Sequence, residues 1–161
     1  GFASVPVGGE RAVAGLILWS SFPLRKAMIT TVKSMVDAAN AAITTHSVEA
    51  ARGLHGRDDV QFIDIRDVRE LERDGVVPGA FHAPRGMLEF WVDPSSPYHK
   101  PVFAQDKQFV LFCAAGWRSA LATKLLQDMG LPKVAHIDGG FAAWKASGAP
   151  VADKAHKAAK P

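Results

Sequence analysis

Cysteine occurs once in this chain, at position 113, and that scarcity removes several classes of protein. A single thiol closes no internal disulfide, so a small scaffold stapled in an oxidising compartment is excluded, and a reducing, cytoplasmic setting is the simpler expectation. The ligand set of a structural zinc site is missing for the same reason, and neither a metal nor another cofactor is expected. Long hydrophobic runs are scarce too. The apolar stretch from Ala12 to Trp19 falls well short of the ~20 residues that span a bilayer, so stable membrane insertion is not expected. Repeats and low-complexity arrays are absent, and 161 residues at 48% hydrophobic content suffice for one core in a single domain.

An excess of basic charge over the body of the chain is also lacking. The formal charge is +3. Residues 1–33 carry Arg11, Arg25, Lys26 and Lys33 against Glu10, and residues 151–161 carry Lys154, Lys157 and Lys160 against Asp153, which leaves residues 34–150 slightly acidic. The basic charge belongs to the ends, and a nucleic-acid partner is disfavoured.

What the chain does have is a stretch on which the rest is organised. Phe109, Val110, Leu111 and Phe112 read as a buried parallel strand, Cys113 stands at its end, and a tight loop leads into a helical run from Ala120 to Met129. A thiol in that position faces backbone N–H groups that no helical carbonyl can satisfy. Those donors, the positive end of the helix dipole and the Arg118 guanidinium all favour a thiolate. Gly116 frees the loop to turn its amides inward as an anion-binding nest. An inert buried thiol is the ordinary fate of a lone cysteine. Here strand, cysteine, glycine, arginine and helix follow in the order that an activated nucleophile requires.

The remaining pattern alternates strands with helices. A helix is expected over Thr31 to Ala42, with Val32, Met35, Val36, Ala39 and Ile43 on one face, followed by a short strand from Ile43 to Thr45. Ser47 caps a helix over Val48 to Leu54. Val60 to Ile65 is a strand, Asp67 opens a charged helical turn, and Pro78-Gly79 forms a turn before an extended piece at Phe81. Gly86 to Trp91 is expected to be helical and residues 92–107 a loop-rich rim. On the helix after Cys113, Leu121, Ala122, Leu125, Leu126 and Met129 make the apolar stripe. Val134 to Ile137 is the last strand, and Phe141 to Ala146 the last helix. The fold class is therefore α/β: an open parallel sheet flanked by helices on both faces, with ligands bound beyond the carboxyl ends of its strands. The domain is expected over 28–151, with a disordered Lys/Ala tail over 152–161. Residues 1–27 form an N-terminal extension with three open readings: an artificial or upstream-start addition, an export signal, or an extra element packing on the domain.

Three blocks together resemble the rhodanese-like domain, the sulfurtransferase family, over about Ile43 to Val151. They are IDIRDVRELERDGVVPGAFHAP (Ile63 to Pro84), CAAGWRS (Cys113 to Ser119) and HIDGGFAAWKASGAPV (His136 to Val151). Val76 departs from the pattern, standing where many members carry histidine. The resemblance implies a sheet of about five strands. It also implies that Cys113 takes a sulfane sulfur from a small donor such as thiosulfate or a persulfide, holds it as a persulfide, and passes it to cyanide, a thiol or a protein cysteine. Ala114, Ala115, Gly116, Trp117, Arg118 and Ser119 would bind the donor. Arg85 would either add a second cation or make a surface salt bridge. Asp64, Arg66 and Glu70 would form a supporting charge network, while His82 and His136 are expected to be structural. Phosphatase relatives carry one residue more between cysteine and arginine than the four found here, which favours sulfur over a phosphoryl group. The alternative from another class is a non-enzymatic interaction or regulatory module.

Overall fold

Side chains alternate across a strand, and along the central strand that alternation divides the interior into two layers. The computed structural model describes residues 29–155; the expectations for residues 1–27 and 156–161 lie outside the described residues. In chain order the elements are α1 (Val32–Ala42), β1 (Thr44–His46), α2 (Val48–Leu54), β2 (Val60–Asp64), α3 (Val68–Asp74), β3 (Phe81–His82), α4 (Leu88–Val92), β4 (Gln108–Phe112), α5 (Trp117–Met129), β5 (Val134–Ile137) and α6 (Gly140–Ala146). Short 3-10 turns occupy Arg85–Met87 and Pro101–Ala104.

The five strands are all parallel, in the order β1-β5-β4-β2-β3. From β4, Phe109 and Leu111, continued by Cys113, join Ile63, Ile65, Leu88 and Leu126 on one face. Val110 and Phe112 join Phe62, Ile137, Phe141 and Trp144 on the other. A strand buried on both faces has to be apolar throughout, which is why β4 reads as an unbroken hydrophobic run. Register brings Asp64 level with Phe112, so β2 and β4 end together and hand their next residues to the same edge of the sheet.

The helix starts follow capping chemistry. Ser47 Oγ accepts from Ala50 N–H at 3.1 Å. At α3, Asp67 accepts from Arg69 N–H while Glu70 accepts from Asp67 N–H, a reciprocal capping box.

Four expectations shift. Helix α5 begins at Trp117, so Trp117, Arg118 and Ser119 form its first turn and are not loop. Its buried residues are Ser119, Ala120, Ala122, Thr123 and Leu126, whereas Met129 is exposed. The helix is covered by the sheet and by α1 at once, and Ala120 packs with Val36 and Ala39 of α1, so small side chains take the close contacts. Gly86 to Trp91 divides into a 3-10 turn and α4. At the carboxyl end, Ala152 exchanges both backbone hydrogen bonds with Val76, at 2.8 and 2.9 Å, so paired chain reaches one residue past Val151.

Asp64 and Arg66 form a buried pair at the end of β2, 1% and 0% exposed. Arg66 Nε and Nη2 reach the Asp64 carboxylate at 3.0 and 2.8 Å, and Nη2 also donates to Gly75 O at 2.8 Å. The guanidinium lies 4.0 Å from the Phe141 ring centroid. One side chain thus ties β2, the end of α3 and α6 together. Removing one partner of such a pair strands the other charge in a dry interior, so Asp64→Ala is expected to lower stability by about 3–5 kcal/mol in urea unfolding. The double change Asp64→Ala with Arg66→Met should recover much of that loss; a single-variant loss below about 1 kcal/mol would contradict the burial argument.

Candidate active site

Cys113 keeps the register of Phe109 and Leu111, which turns its side chain toward the α4 and α5 layer, where it is completely buried. Gly116, at φ +110°, is the left-handed N-cap of α5, and it has no side chain to accept from the first turn. The cysteine sulfur takes that place. Gly116 N–H points to Sγ at 3.1 Å and Ser119 N–H at 3.4 Å, the latter being the amide a normal cap would hold. The amides of Trp117 and Arg118 lie in the same turn, ahead of any helical acceptor.

The back of the loop is fixed by α6. Phe141 N–H donates to Cys113 O at 2.8 Å and Ala142 N–H to Ala114 O at 3.0 Å. Gly140 has φ +59°, and a Cβ there would sit 2.4 Å from Cys113 O. Gly140 of the third sequence block is therefore required by the close approach of the first helical turn of α6 to the cysteine loop, and Gly139 by its φ of +75° and a Cβ that would sit 2.7 Å from Ala143 Cβ. Ala114 is half-buried, while Ala115 and Trp117 are exposed, Trp117 by 51%.

Charge is arranged differently from the expected network. Arg118 makes a two-pronged pair with Glu70, at 2.8 and 2.9 Å, and Asp64 is bonded to Arg66 alone among charged side chains. Glu70 thus belongs to the loop cation, and no hydrogen bond joins it to Asp64 or Arg66. The Arg118 hydrogen bond is the main reason that the Glu70 carboxyl falls from 4.5 to about 2, with the charge of Arg66 adding a smaller pull. Arg118 is in turn held protonated more firmly than a free arginine. Arg85 gives its backbone N–H to Ile65 O at 3.1 Å, and its side chain lines a groove with Met35, Ala39, Leu121 and Leu125. It is not among the hydrogen-bond partners of Cys113.

Sequence reasoning left Asn40 unnamed and did not connect His136, expected to be structural, with Ser119 beside the sulfur. Ser119 Oγ is 3.5 Å from Sγ and 2.9 Å from His136 Nδ1, and His136 Nε2 is 2.9 Å from Asn40 Oδ1. His136 is 2% exposed, and burial disfavours its protonated form. The available signal was a single polar residue in the apolar strand Val134–Ile137, paired in register with Leu111. Asn40 had only its position beside the buried Ala39 of α1. His82 donates from Nε2 to Arg66 O at 2.7 Å. Among the described residues no cluster of three or more His, Cys, Asp or Glu could hold a metal ion, and no helix is long and apolar enough to cross a membrane.

A parallel α/β sheet whose central strand delivers a cysteine into the N-terminal turn of the next helix defines a cysteine-loop domain. The chain belongs to the rhodanese-like domain family, whose model matches residues 47–147. It is 28% identical over 105 residues to a sulfurtransferase of Allochromatium vinosum, a match covering 65% of this chain and 90% of that protein. With the rhodanese-like domain-containing protein 17 of Arabidopsis thaliana it shares 32% identity over 91 residues, covering 52% of this chain and 56% of the relative. Among solved structures, a Rhodopseudomonas palustris protein of unknown function, described as a possible tyrosine phosphatase, is 53% identical with a TM-score of 0.76. That match covers 81% of this chain and all of the other. The polysulfide-sulfur transferase homodimer of Wolinella succinogenes is 32% identical with a TM-score of 0.58, over 77% of this chain and 88% of the other.

The Glu70–Arg118 pair predicts a pH dependence of known sign. A carboxyl whose folded pKa is depressed contributes stability fully above its unfolded value, here 4.5, and loses it as pH falls toward about 2. Glu70→Gln keeps a capping-box partner but removes the charge, and is expected to cost about 1 kcal/mol at neutral pH in urea unfolding. The wild-type and variant stabilities should converge between pH 4.5 and about 2; a constant gap across that range would refute the pairing.

Proposed function

We propose that the protein is a sulfurtransferase in which Cys113 carries a sulfane sulfur as a persulfide. The observation that carries this reading is the tight ring around Sγ, with Gly116 and Ser119 amides on the sulfur itself and only four residues between Cys113 and Arg118. Family membership and the sulfurtransferase of Allochromatium vinosum support sulfur chemistry.

With thiosulfate as donor, the Cys113 thiolate attacks the outer sulfur, the S–S bond of the donor breaks, and sulfite leaves with the bonding electron pair. The enzyme is left with a Cys113 persulfide anion. Cyanide or a thiolate then attacks the terminal sulfur, the persulfide S–S bond breaks, and the Cys113 thiolate is restored as thiocyanate or a new persulfide departs. Backbone amides of the α5 first turn stabilise the anions on both sides of this exchange. Arg118 serves the sulfonate end of the donor by turning from Glu70, and Trp117 walls the approach. Because Cys113 is wholly enclosed, small donors with a slender terminal sulfur are favoured over bulky ones.

The rival reading comes from the Rhodopseudomonas palustris relative, described as a possible tyrosine phosphatase. The shorter loop argues against it, since a ring closed on the sulfur leaves little room for a phosphoryl group with three equatorial oxygens.

Intact mass after thiosulfate treatment should rise by one sulfur atom, reversed by dithiothreitol. Cys113→Ser should abolish both this gain and thiocyanate formation in a chain that is still folded by circular dichroism. Arg118→Ala removes a charge-assisted contact of about 1.5–3 kcal/mol, and should lower kcat/KM for thiosulfate roughly 10- to 100-fold. No mass gain with thiosulfate or polysulfide, together with turnover of para-nitrophenyl phosphate, would favour the phosphatase.

A further inference from the structure

The geometry points to His136 as the group that takes the Cys113 thiol proton, relayed through the Ser119 hydroxyl, with Asn40 holding the imidazole in the required tautomer. This rests on the reading of Cys113 as a nucleophile.

Polarity along the chain is fixed from its far end. Asn40 Oδ1 is a carbonyl oxygen and only accepts, so His136 Nε2 carries a proton and donates it at 2.9 Å. Nδ1 of the neutral ring is then a bare lone pair. The Ser119 hydroxyl, 2.9 Å away, donates to it in preference to the Gly116 carbonyl at 3.3 Å. The Ser119 oxygen accordingly turns a lone pair toward Cys113, whose S–H donates to it at 3.5 Å. Every member is buried or half-buried except Asn40, whose amide closes the outer end.

Transfer reverses each inner hydrogen bond and leaves none unmade. The thiol proton moves to Ser119 Oγ while the original hydroxyl proton moves to His136 Nδ1. The products are a thiolate, a neutral serine hydroxyl now donating to that thiolate, and an imidazolium donating from Nδ1 to Ser119 and from Nε2 to Asn40. One proton leaves the sulfur, one reaches the ring, and no other bond changes. The two new charges arise together inside one buried network, where their attraction is weakly screened.

Burial keeps a solvent proton off His136 before the thiol ionises, so the ring is available as an acceptor. The neighbouring charges act in opposite senses: Asp138, following β5, favours the imidazolium, and His46 on β1 opposes it. At the other end Arg118 faces the thiolate from α5 and is itself neutralised by Glu70.

The experiment measures iodoacetamide alkylation of Cys113 against pH in the full chain, alongside the ring nitrogen NMR shifts of His136. In the wild type the ring should lose its solvent-derived proton over the same pH range in which alkylation accelerates, because only the neutral ring can receive the thiol proton. His136→Gln can still accept from Ser119 but cannot hold the proton, and should move the alkylation midpoint up by about one pH unit, roughly tenfold in rate at neutral pH. Ser119→Ala should give a similar shift, and the double variant little more. Asn40→Asp should favour the imidazolium and raise the alkylation rate at neutral pH. A ring whose charge does not change across the alkylation midpoint, or variant profiles that overlay the wild type, would overturn the relay. If a variant fails to fold, judged by circular dichroism, the wild-type ring shifts decide alone. Neither readout uses a sulfur donor, so a protein that shows the coupled titration but accepts no sulfur would sink the sulfurtransferase reading and leave the relay standing. Sulfur transfer with uncoupled profiles would do the reverse.

Discussion

Helix α5 starts without a capping side chain, and the sulfur of Cys113 does the capping. A helix leaves its first amides without intrahelical partners, and burying them unpaired costs as much as losing the bonds outright. Placing a polarizable sulfur among them satisfies two donors and sets the sulfur at the positive end of the helix dipole. Stability and reactivity therefore draw on the same contacts. The turn that makes this possible needs a left-handed residue at Gly116 and a close approach at Gly140, so two glycines far apart in sequence answer to one sulfur atom.

Two arginine–carboxylate pairs flank this turn and have different characters. Asp64–Arg66 is fully enclosed, bonded to backbone and stacked on Phe141, and its role is to hold three elements in place. Glu70–Arg118 is partly open to solvent, with Arg118 side chain 41% exposed, and can exchange partners at modest cost. Glu70 also closes the capping box of α3, so release of Arg118 leaves its carboxylate with a backbone donor. A cation that is neutralised at rest and free to re-pair suits the anionic donor proposed for this site.

Much of this was legible in the sequence, for reasons that differ by element. β4 stood out because a strand covered on both faces must be apolar at every position, and α2 and α3 because Ser47 and Asp67 carry capping chemistry in their side chains. The cysteine loop could be read because an arginine, a glycine and a thiol have few other reasons to be so spaced. The burial stripe of α5 could not be read from hydrophobicity alone: Ser119 and Thr123 are buried because the sheet comes close, and Met129 is exposed because the helix runs past the core. The Glu70–Arg118 pair joins residues 48 positions apart, and nothing local in either segment marks the partner. His136 looked like an ordinary histidine inside a strand because its significance lies in Ser119, which itself looked like part of a loop.

The placement of Asn40 bears on where the functional unit begins. The family match starts at residue 47, yet α1 packs on Ala120 in the first turns of α5 and carries the amide that orients His136. A chain begun at residue 47 would keep all five strands but β1 and every residue of the cysteine loop, while exposing Ala120 and leaving His136 Nε2 to water. The ring could then adopt either tautomer, and a donor at Nδ1 would no longer accept from Ser119. In this protein α1 therefore functions as a part of the site's proton wiring as well as a cover for the sheet.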